Sequence, residues 1–149
     1  LKKPQLARLA AELGSDTAYF VYNDAELCTG RGDIMSPIAV ELAGRWLVVV
    51  KPDEGVSTAE AYRGVKPAMP ERGLRELLAE PIECWQEGVK NDFEPHIFEA
   101  HPRIRAIKES LLACGALYAS MSGSGSAVFG IFAEKPNFTT EDFVHIEQL

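Results

Sequence analysis

No stretch of this chain approaches the roughly 20 consecutive apolar residues that a membrane-spanning helix needs. No positively charged segment followed by an apolar one opens it, so a membrane role is excluded and a cytoplasmic location is expected. Positive charge is also scarce: 15 Lys and Arg against 22 Asp and Glu leave a net charge of −7. With no basic run or stripe, a nucleic-acid backbone or an anionic membrane would be repelled. Cysteine is limited to Cys28, Cys84 and Cys114. They are odd in number and form no C-x-x-C pair, which excludes a disulfide framework and a thiolate zinc site, and they read as reduced core residues. His96 and His101 are five apart, off the i, i+4 spacing of helix-borne metal ligands, and His145 is remote, so no metal site is expected.

What the chain does contain is enough apolar sequence, 46% of 149 residues, for one ordinary domain with a real core. Pro4 suits a first helical turn, and Leu6, Leu9, Ala10 and Leu13 make a stripe that stops at Gly14. Tyr19–Tyr22, a turn at Asn23-Asp24 and residues 25–29 read as a hairpin that ends at Gly30-Arg31-Gly32-Asp33. Residues 45–51 form the continuous β-branched run of a buried strand. Ser57-Thr58-Ala59-Glu60 matches a capping box that opens a helix through Tyr62. Short helices follow around Leu74 to Trp85, interrupted at Pro81, and Asn91-Asp92 precede another helical piece. Pro102 opens a longer helix with Ile104, Ile107, Leu111 and Leu112 on one face, closed by Gly115. Two strands flank Met121–Ser126, and the tail fits either a short helix or an edge strand. Strands, a block of helices and strands again predict an α+β fold, an antiparallel sheet covered by helices on one side. A soft boundary is expected near Ser36-Pro37, giving regions 1–36 and 37–149.

The most informative segment is Met121-Ser122-Gly123-Ser124-Gly125-Ser126. Glycine and serine usually make flexible linkers, but strands on both flanks tether this loop. Its glycines can aim successive N–H groups into one concavity and its serines add donors, so phosphate is the natural guest. It is neither a Walker loop nor a dinucleotide fingerprint, since no Gly-Lys-Ser/Thr follows and the next element is a strand. Composition alone leaves a simple β-connection open. Asp16, after a helix-ending glycine, reads either as a turn residue bonded to nearby N–H groups or as a carboxylate at a cleft rim that accepts a substrate proton. Asn91-Asp92 would orient a loop or cap the next helix, and Tyr62 alone reads as a core aromatic or a stacking platform. No Gly-x-Ser-x-Gly elbow marks a serine hydrolase.

Five segments occur in a telling order: Leu13-Gly14-Ser15-Asp16, Gly30-Arg31-Gly32-Asp33, Gly55 to Tyr62, Asn91-Asp92-Phe93-Glu94-Pro95, and Met121 to Ser126. The series resembles the GHMP small-molecule kinase superfamily, and within it the family that phosphorylates 4-diphosphocytidyl-2-C-methyl-D-erythritol in the methylerythritol phosphate route to isoprenoids. The resemblance implies a ferredoxin-like C-terminal domain for residues 37–149 and the end of an ATP-binding domain for residues 1–36. It implies ATP and Mg2+ as cofactors and transfer of the γ-phosphoryl group to the 2-hydroxyl of a cytidine-diphosphate substrate. Asp16 falls on the catalytic aspartate. Ser122, Gly123, Ser124, Gly125 and Ser126 fall on the third family motif, which lines the active-site cleft, and Ser57, Thr58 and Tyr62 lie where the cytidine end of the substrate is held.

Two departures accompany it. Thr17-Ala18 stand where the family usually has Val-Pro, which predicts a less rigid backbone after Asp16. The upstream ATP loop and its lysine are missing, and the chain opens at Leu1 without methionine. A substrate-side portion of a longer kinase is therefore expected, inactive alone and prone to self-association through the Leu6 to Leu13 stripe. The alternatives are another GHMP kinase, acting on homoserine, mevalonate or a sugar, and a noncatalytic α+β anion-binding or regulatory domain.

Overall fold

The computed structural model describes all 149 residues, which divide into two compact units, Leu1–Glu41 and Leu42–Leu149. In the first unit, helix α1 (Lys3–Leu13) starts on Pro4 and is followed by a single helical turn, α2 (Tyr19–Tyr22). The hairpin is one strand later than the sequence reading placed it. Strand β1 (Glu26–Thr29) pairs antiparallel with β2 (Ile34–Pro37), and Gly30 to Asp33 form its turn rather than its end. Tyr19–Tyr22 coil because the Tyr19 N–H bonds the Asp16 carbonyl and the Asn23 N–H bonds the Tyr19 carbonyl, closing local turns that a strand would leave open. Glycines at φ +68° and +89° accommodate the tight reversal at Gly30 and Gly32.

In the second unit, strands β3 (Trp46–Lys51), β4 (Tyr118–Met121), β5 (Val128–Phe132) and β6 (Phe143–Gln148) form one antiparallel sheet in the order β4-β5-β3-β6. Between β3 and β4 the chain runs through α3 (Thr58–Gly64), α4 (Leu74–Leu78), a 3-10 turn (Ile82–Cys84), α5 (Trp85–Gly88), α6 (Glu94–Ala100) and α7 (Pro102–Ala113). Strand β5 then inserts between β4 and β3, which makes the ferredoxin-like order, and the ambiguous tail resolves as the edge strand β6. No helix joins β5 to β6: residues 133–142, with Pro136, cross as a loop. No helix is long and apolar enough to cross a membrane.

The register explains which sheet face is covered. Val48 and Val50 lie opposite Gly130 and Val128 of β5, which in turn lie opposite Ala119 and Met121 of β4. These residues share one face and are essentially solvent-free. They pack with Ala61 of α3, Ile97 and Phe98 of α6, and Ile104, Ile107 and Leu111 of α7 in a single core. The predicted stripe of α7 is the one that is buried, and Gly115 at φ +96° ends that helix. Gly130 suits this close packing, because a Cβ there would lie 3.1 Å from the Phe132 Cε2 and 3.3 Å from the Ala116 Cβ, and those neighbours would have to give by a few tenths of an ångström.

The cysteines correct the sequence reading: all three are free, but all three are exposed. Cys114 lies beyond the last residue of α7, at its cap, and Cys28 belongs to a two-stranded hairpin too small to bury both faces.

Candidate functional site

Strand β4 lies at the sheet edge, so every second residue presents unpaired backbone groups outward. Side chains of the α5–α6 segment take up those groups. The Gln86 Oε1 accepts from the Ala119 N–H at 2.9 Å, and the Glu94 Oε1 accepts from the Met121 N–H at 2.8 Å. The Asn91 Nδ2 donates to the Met121 carbonyl at 2.7 Å and to the Gly123 carbonyl at 2.8 Å. The strand edge is thus sealed by an amide, a carboxylate and a second amide, and the glycine loop emerges from the sealed end.

The loop itself is ordered from within and from both flanks. The Ser122 N–H bonds the Ala127 carbonyl at 2.8 Å, and the Gly125 N–H bonds the Ser122 carbonyl at 2.9 Å. Gly125 sits at φ +89°, a conformation that side-chain-bearing residues rarely adopt, and a Cβ there would lie 2.7 Å from the Met121 Sδ, which would have to shift. Ser126 is buried and its hydroxyl donates to the Glu54 carbonyl while accepting from the Lys51 Nζ at 2.9 Å. Lys51 also donates to the Pro52 carbonyl at 2.8 Å. Ser122 and Gly123 are exposed, and the Gly123 and Ser124 N–H groups have no partner within the chain. Of the five loop residues, Ser126 is therefore an anchor, and Gly123 and Ser124 carry the available donors.

Ser57, Thr58 and Tyr62 sit on the first turns of α3. The Ser57 Oγ caps the helix by accepting from the Glu60 N–H at 3.1 Å, as the capping box predicts. The Glu60 carboxylate has its Oε1 on the His101 Nε2 at 2.8 Å. Ser57 and Thr58 are exposed, and Tyr62 is 67% exposed while making an edge contact with Phe93, ring centroids 5.0 Å apart. Tyr62 is thus not a core aromatic; one ring face stays open to solvent. The contacts Tyr62 to Phe93, Phe93 N–H to Asn91 Oδ1 at 3.0 Å, and Asn91 to Gly123 connect this segment to the loop.

Asp16 belongs to the first unit. Its backbone packs on the hairpin turn, where a Cβ at Gly32 would lie 3.1 Å from the Asp16 Cβ. The residue is exposed and its carboxylate makes no hydrogen bond or ion pair, unlike the turn residue bonded to nearby N–H groups that the alternative reading describes. Thr17 restrains the turn in place of the expected proline: its hydroxyl donates to the Gly14 carbonyl at 2.8 Å and contacts the Ala10 carbonyl. No group of three or more His, Cys, Asp or Glu side chains converges on a common point.

Sequence reasoning missed Lys51, Glu54, Glu94 and His101, because each has a partner at least 26 positions away: Ser126 for Lys51, His101 for Glu54 and Ser120 for Glu94. In the sequence His101 stands out only as a possible metal ligand. It lies between two carboxylates, with its Nδ1 2.5 Å from the Glu54 Oε1 and its Nε2 2.8 Å from the Glu60 Oε1. Ionised carboxylates only accept, so the arrangement favours the ring with both nitrogens protonated, the imidazolium. Glu54, then Glu60, raise the His101 pKa above its ordinary 6.5, and His101 lowers that of Glu60. The raised imidazole stabilises the fold fully below its ordinary pKa and stops doing so as pH rises through the raised value. The lowered carboxylate contributes above its ordinary pKa and fails as pH falls through the lowered one. The stability lost in His101→Gln is therefore expected to be largest just below the ordinary imidazole pKa and to shrink as pH rises through the raised His101 value. Urea unfolding of both chains from acid to alkaline pH measures this, and a difference independent of pH would remove the imidazolium from the account.

The comparisons agree with this architecture. Residues 72–140 match the family described as GHMP kinases C terminal, a span that includes α4 to α7, β4, the loop and β5. The 4-diphosphocytidyl-2-C-methyl-D-erythritol kinase of Bacteroides fragilis is 43% identical over 143 residues, 96% of this chain and 52% of that protein. That of Parabacteroides distasonis is 45% identical over 137 residues, 92% and 50% of the two chains. The chain spans about half the length of the curated relatives it matches. Among solved structures, a 4-(cytidine 5'-diphospho)-2C-methyl-D-erythritol kinase superposes with TM-score 0.66 at 30% identity, over 85% of this chain and 47% of that one. A homoserine kinase from Cytophaga hutchinsonii superposes with TM-score 0.70 at 15% identity, over 100% of this chain and 58% of that one, a likeness of fold. An antiparallel β4-β5-β3-β6 sheet under helices, a glycine loop after its edge strand, and this degree of identity over nearly every residue together make the chain similar to the GHMP kinases, with residues 72–140 matching their C-terminal family.

Proposed function

We propose that this chain is the acceptor-side portion of an ATP-dependent kinase that phosphorylates the 2-hydroxyl of 4-diphosphocytidyl-2-C-methyl-D-erythritol. The observation that carries the reading is the loop at 122–126, which is anchored at both ends yet leaves the Gly123 and Ser124 N–H groups unpartnered. Two such donors suit an anion that carries its charge on several oxygens. The names of the relatives at 43% and 45% identity supply the acceptor.

In this reading Asp16 accepts the proton of the acceptor hydroxyl or orients it for attack, and its carboxylate is free to do so because the protein makes no other use of it. Gly123 and Ser124 donate to the phosphate-bearing part of the site, with Ser122 and Ser124 hydroxyls as further donors, while Gly125 and Ser126 hold the loop's shape. Ser57 keeps its hydroxyl proton for the substrate, since the cap uses only its lone pair, and Thr58 adds a second hydroxyl. Tyr62 offers an open ring face on which cytosine stacks. Bound ATP with Mg2+ supplies the phosphoryl group and neutralises its charge. Residues 1–36 are assigned to the end of the ATP-binding domain and residues 37–149 to the GHMP C-terminal domain, in a cytoplasmic enzyme that acts on a small molecule.

The test is a chimera in which this chain replaces the 143 residues it aligns with in the Bacteroides fragilis relative. ADP release is measured with the cytidylated substrate, homoserine and mevalonate. Turnover confined to the first supports the proposal. Turnover of another alcohol keeps the phosphotransferase and discards the acceptor, and silence on all three favours the noncatalytic anion-binding domain.

The first unit supports a second expectation. Leu6, Leu9 and Leu13 of α1 are 41%, 51% and 87% exposed and line a shallow apolar depression with Ala10 and Val21. Alone, the chain is expected to self-associate as its concentration rises, and Leu6→Glu with Leu13→Glu should return it to monomer. A single monomeric species in sedimentation velocity at every concentration would refute this.

A further inference from the structure

We infer that Asn91 is a positioning residue that sets the direction in which the glycine loop presents its Ser124 N–H. The inference rests on the phosphate-loop reading above and assigns a role to a residue outside the loop. Three atoms of one amide are spoken for: both Nδ2 protons go to carbonyls, Met121 at 2.7 Å and Gly123 at 2.8 Å, and the Oδ1 accepts from the Phe93 N–H at 3.0 Å. A flipped amide would set its oxygen against two carbonyl oxygens, so the orientation is determined by the network.

The consequence follows from the planarity of the peptide. In a trans peptide the carbonyl of one residue and the N–H of the next point in opposite directions. Holding the Gly123 carbonyl on Asn91 turns the Ser124 N–H away from Asn91, and holding the Met121 carbonyl turns the Ser122 N–H away, where it meets the Ala127 carbonyl at 2.8 Å. The restraint is needed because Gly123, at φ +54° and with nothing within 4 Å of its would-be Cβ, is limited by no neighbour of its own. Glu94 contributes from the same segment by holding the Met121 N–H at 2.8 Å, so the root of the loop is gripped on both of its backbone groups.

Two variants separate this role from a structural one. Asn91→Asp keeps an oxygen for the Phe93 N–H, hence the turn before α6, and replaces only the two donors; Asn91→Ala removes all three bonds. Asp92→Ala, at an exposed neighbour with no hydrogen bond, is the control. In the chain itself, 15N relaxation of Gly123, Ser124 and Gly125 is expected to fall from rigid order parameters to below about 0.6 in both Asn91 variants and in neither the control nor the parent. In the chimera, kcat is expected to drop at least about tenfold in Asn91→Asp, with KM for the acceptor within about twofold. A rigid loop in a folded Asn91→Asp chain, or an unchanged kcat in an active chimera, overturns the inference. Should the parent chimera be inactive on every alcohol, the kinase reading fails, and the relaxation data still decide whether Asn91 orders the loop.

Discussion

Glu94→Ala is expected to cost the chain about 3–5 kcal/mol of stability, the range for breaking a buried ion pair by removing one partner. Glu94 is 8% exposed and every lone pair it aims inward is occupied. Its Oε2 lies 2.6 Å from the Lys108 Nζ, and its Oε1 serves the Met121 N–H at 2.8 Å and the Ser120 hydroxyl at 3.2 Å. Truncation leaves an ammonium held against Phe98 without its counter-charge, an edge-strand N–H without an acceptor and a hydroxyl without its best partner. The double variant Glu94→Gln with Lys108→Met tests the cause. It keeps an oxygen near the Met121 N–H and removes both charges, so it should recover most of the loss. Urea denaturation followed by circular dichroism gives the comparison. A loss under about 1 kcal/mol in Glu94→Ala would mean that water reaches Lys108 and that the pair is not a structural one.

Asp16→Asn is expected to lower kcat of the chimera by about 10²- to 10⁴-fold, the usual contribution of a positioned acid or base, with KM little changed. The amide matches the carboxylate in shape but neither takes a proton nor holds a negative charge beside the attacking hydroxyl. Because the Asp16 carboxylate makes no hydrogen bond or ion pair, the same substitution should leave the melting temperature within about a degree. That dissociation of activity from stability is the diagnostic result. Turnover within threefold of the parent would end the catalytic assignment, and a large fall in stability would return Asp16 to the role of a turn residue.

The elements that were read correctly are those whose cause is local. A proline at the first turn, a stripe at i, i+3, i+7 and a glycine at the end specify α7 within its own dozen residues. The run at β3 belongs to a central strand, paired with β5 at one edge and β6 at the other, with Val48 and Val50 buried under the helices and Leu47 and Val49 half-buried on the opposite face. The hairpin was misplaced because Tyr19–Tyr22 are strand formers in isolation, and a helical turn won through carbonyls supplied by Asp16 and Tyr19. The cysteines differ from the reading because burial depends on what packs over each position: Cys84 closes a short 3-10 turn and Cys114 caps the end of α7, and both are exposed.

The site divides in the same way. Glycines at 123 and 125, a serine cap before α3 and an aspartate after Gly14 are visible in the chain because each acts through its own backbone or its nearest turn. What holds them could not be seen there: Asn91 on the Gly123 carbonyl, Ser126 on the Glu54 carbonyl, His101 between Glu54 and Glu60, and Glu94 on Met121 join residues 27 to 72 positions apart. By itself the sequence determined the fold class, the order of the helices and the presence of a glycine and serine loop between two strands, since propensity, periodicity and turn chemistry are properties of neighbouring residues. Only the tertiary structure decided which loop donors stay free and which side chains aim them, because a hydrogen bond between distant residues exists only after the chain has closed on itself.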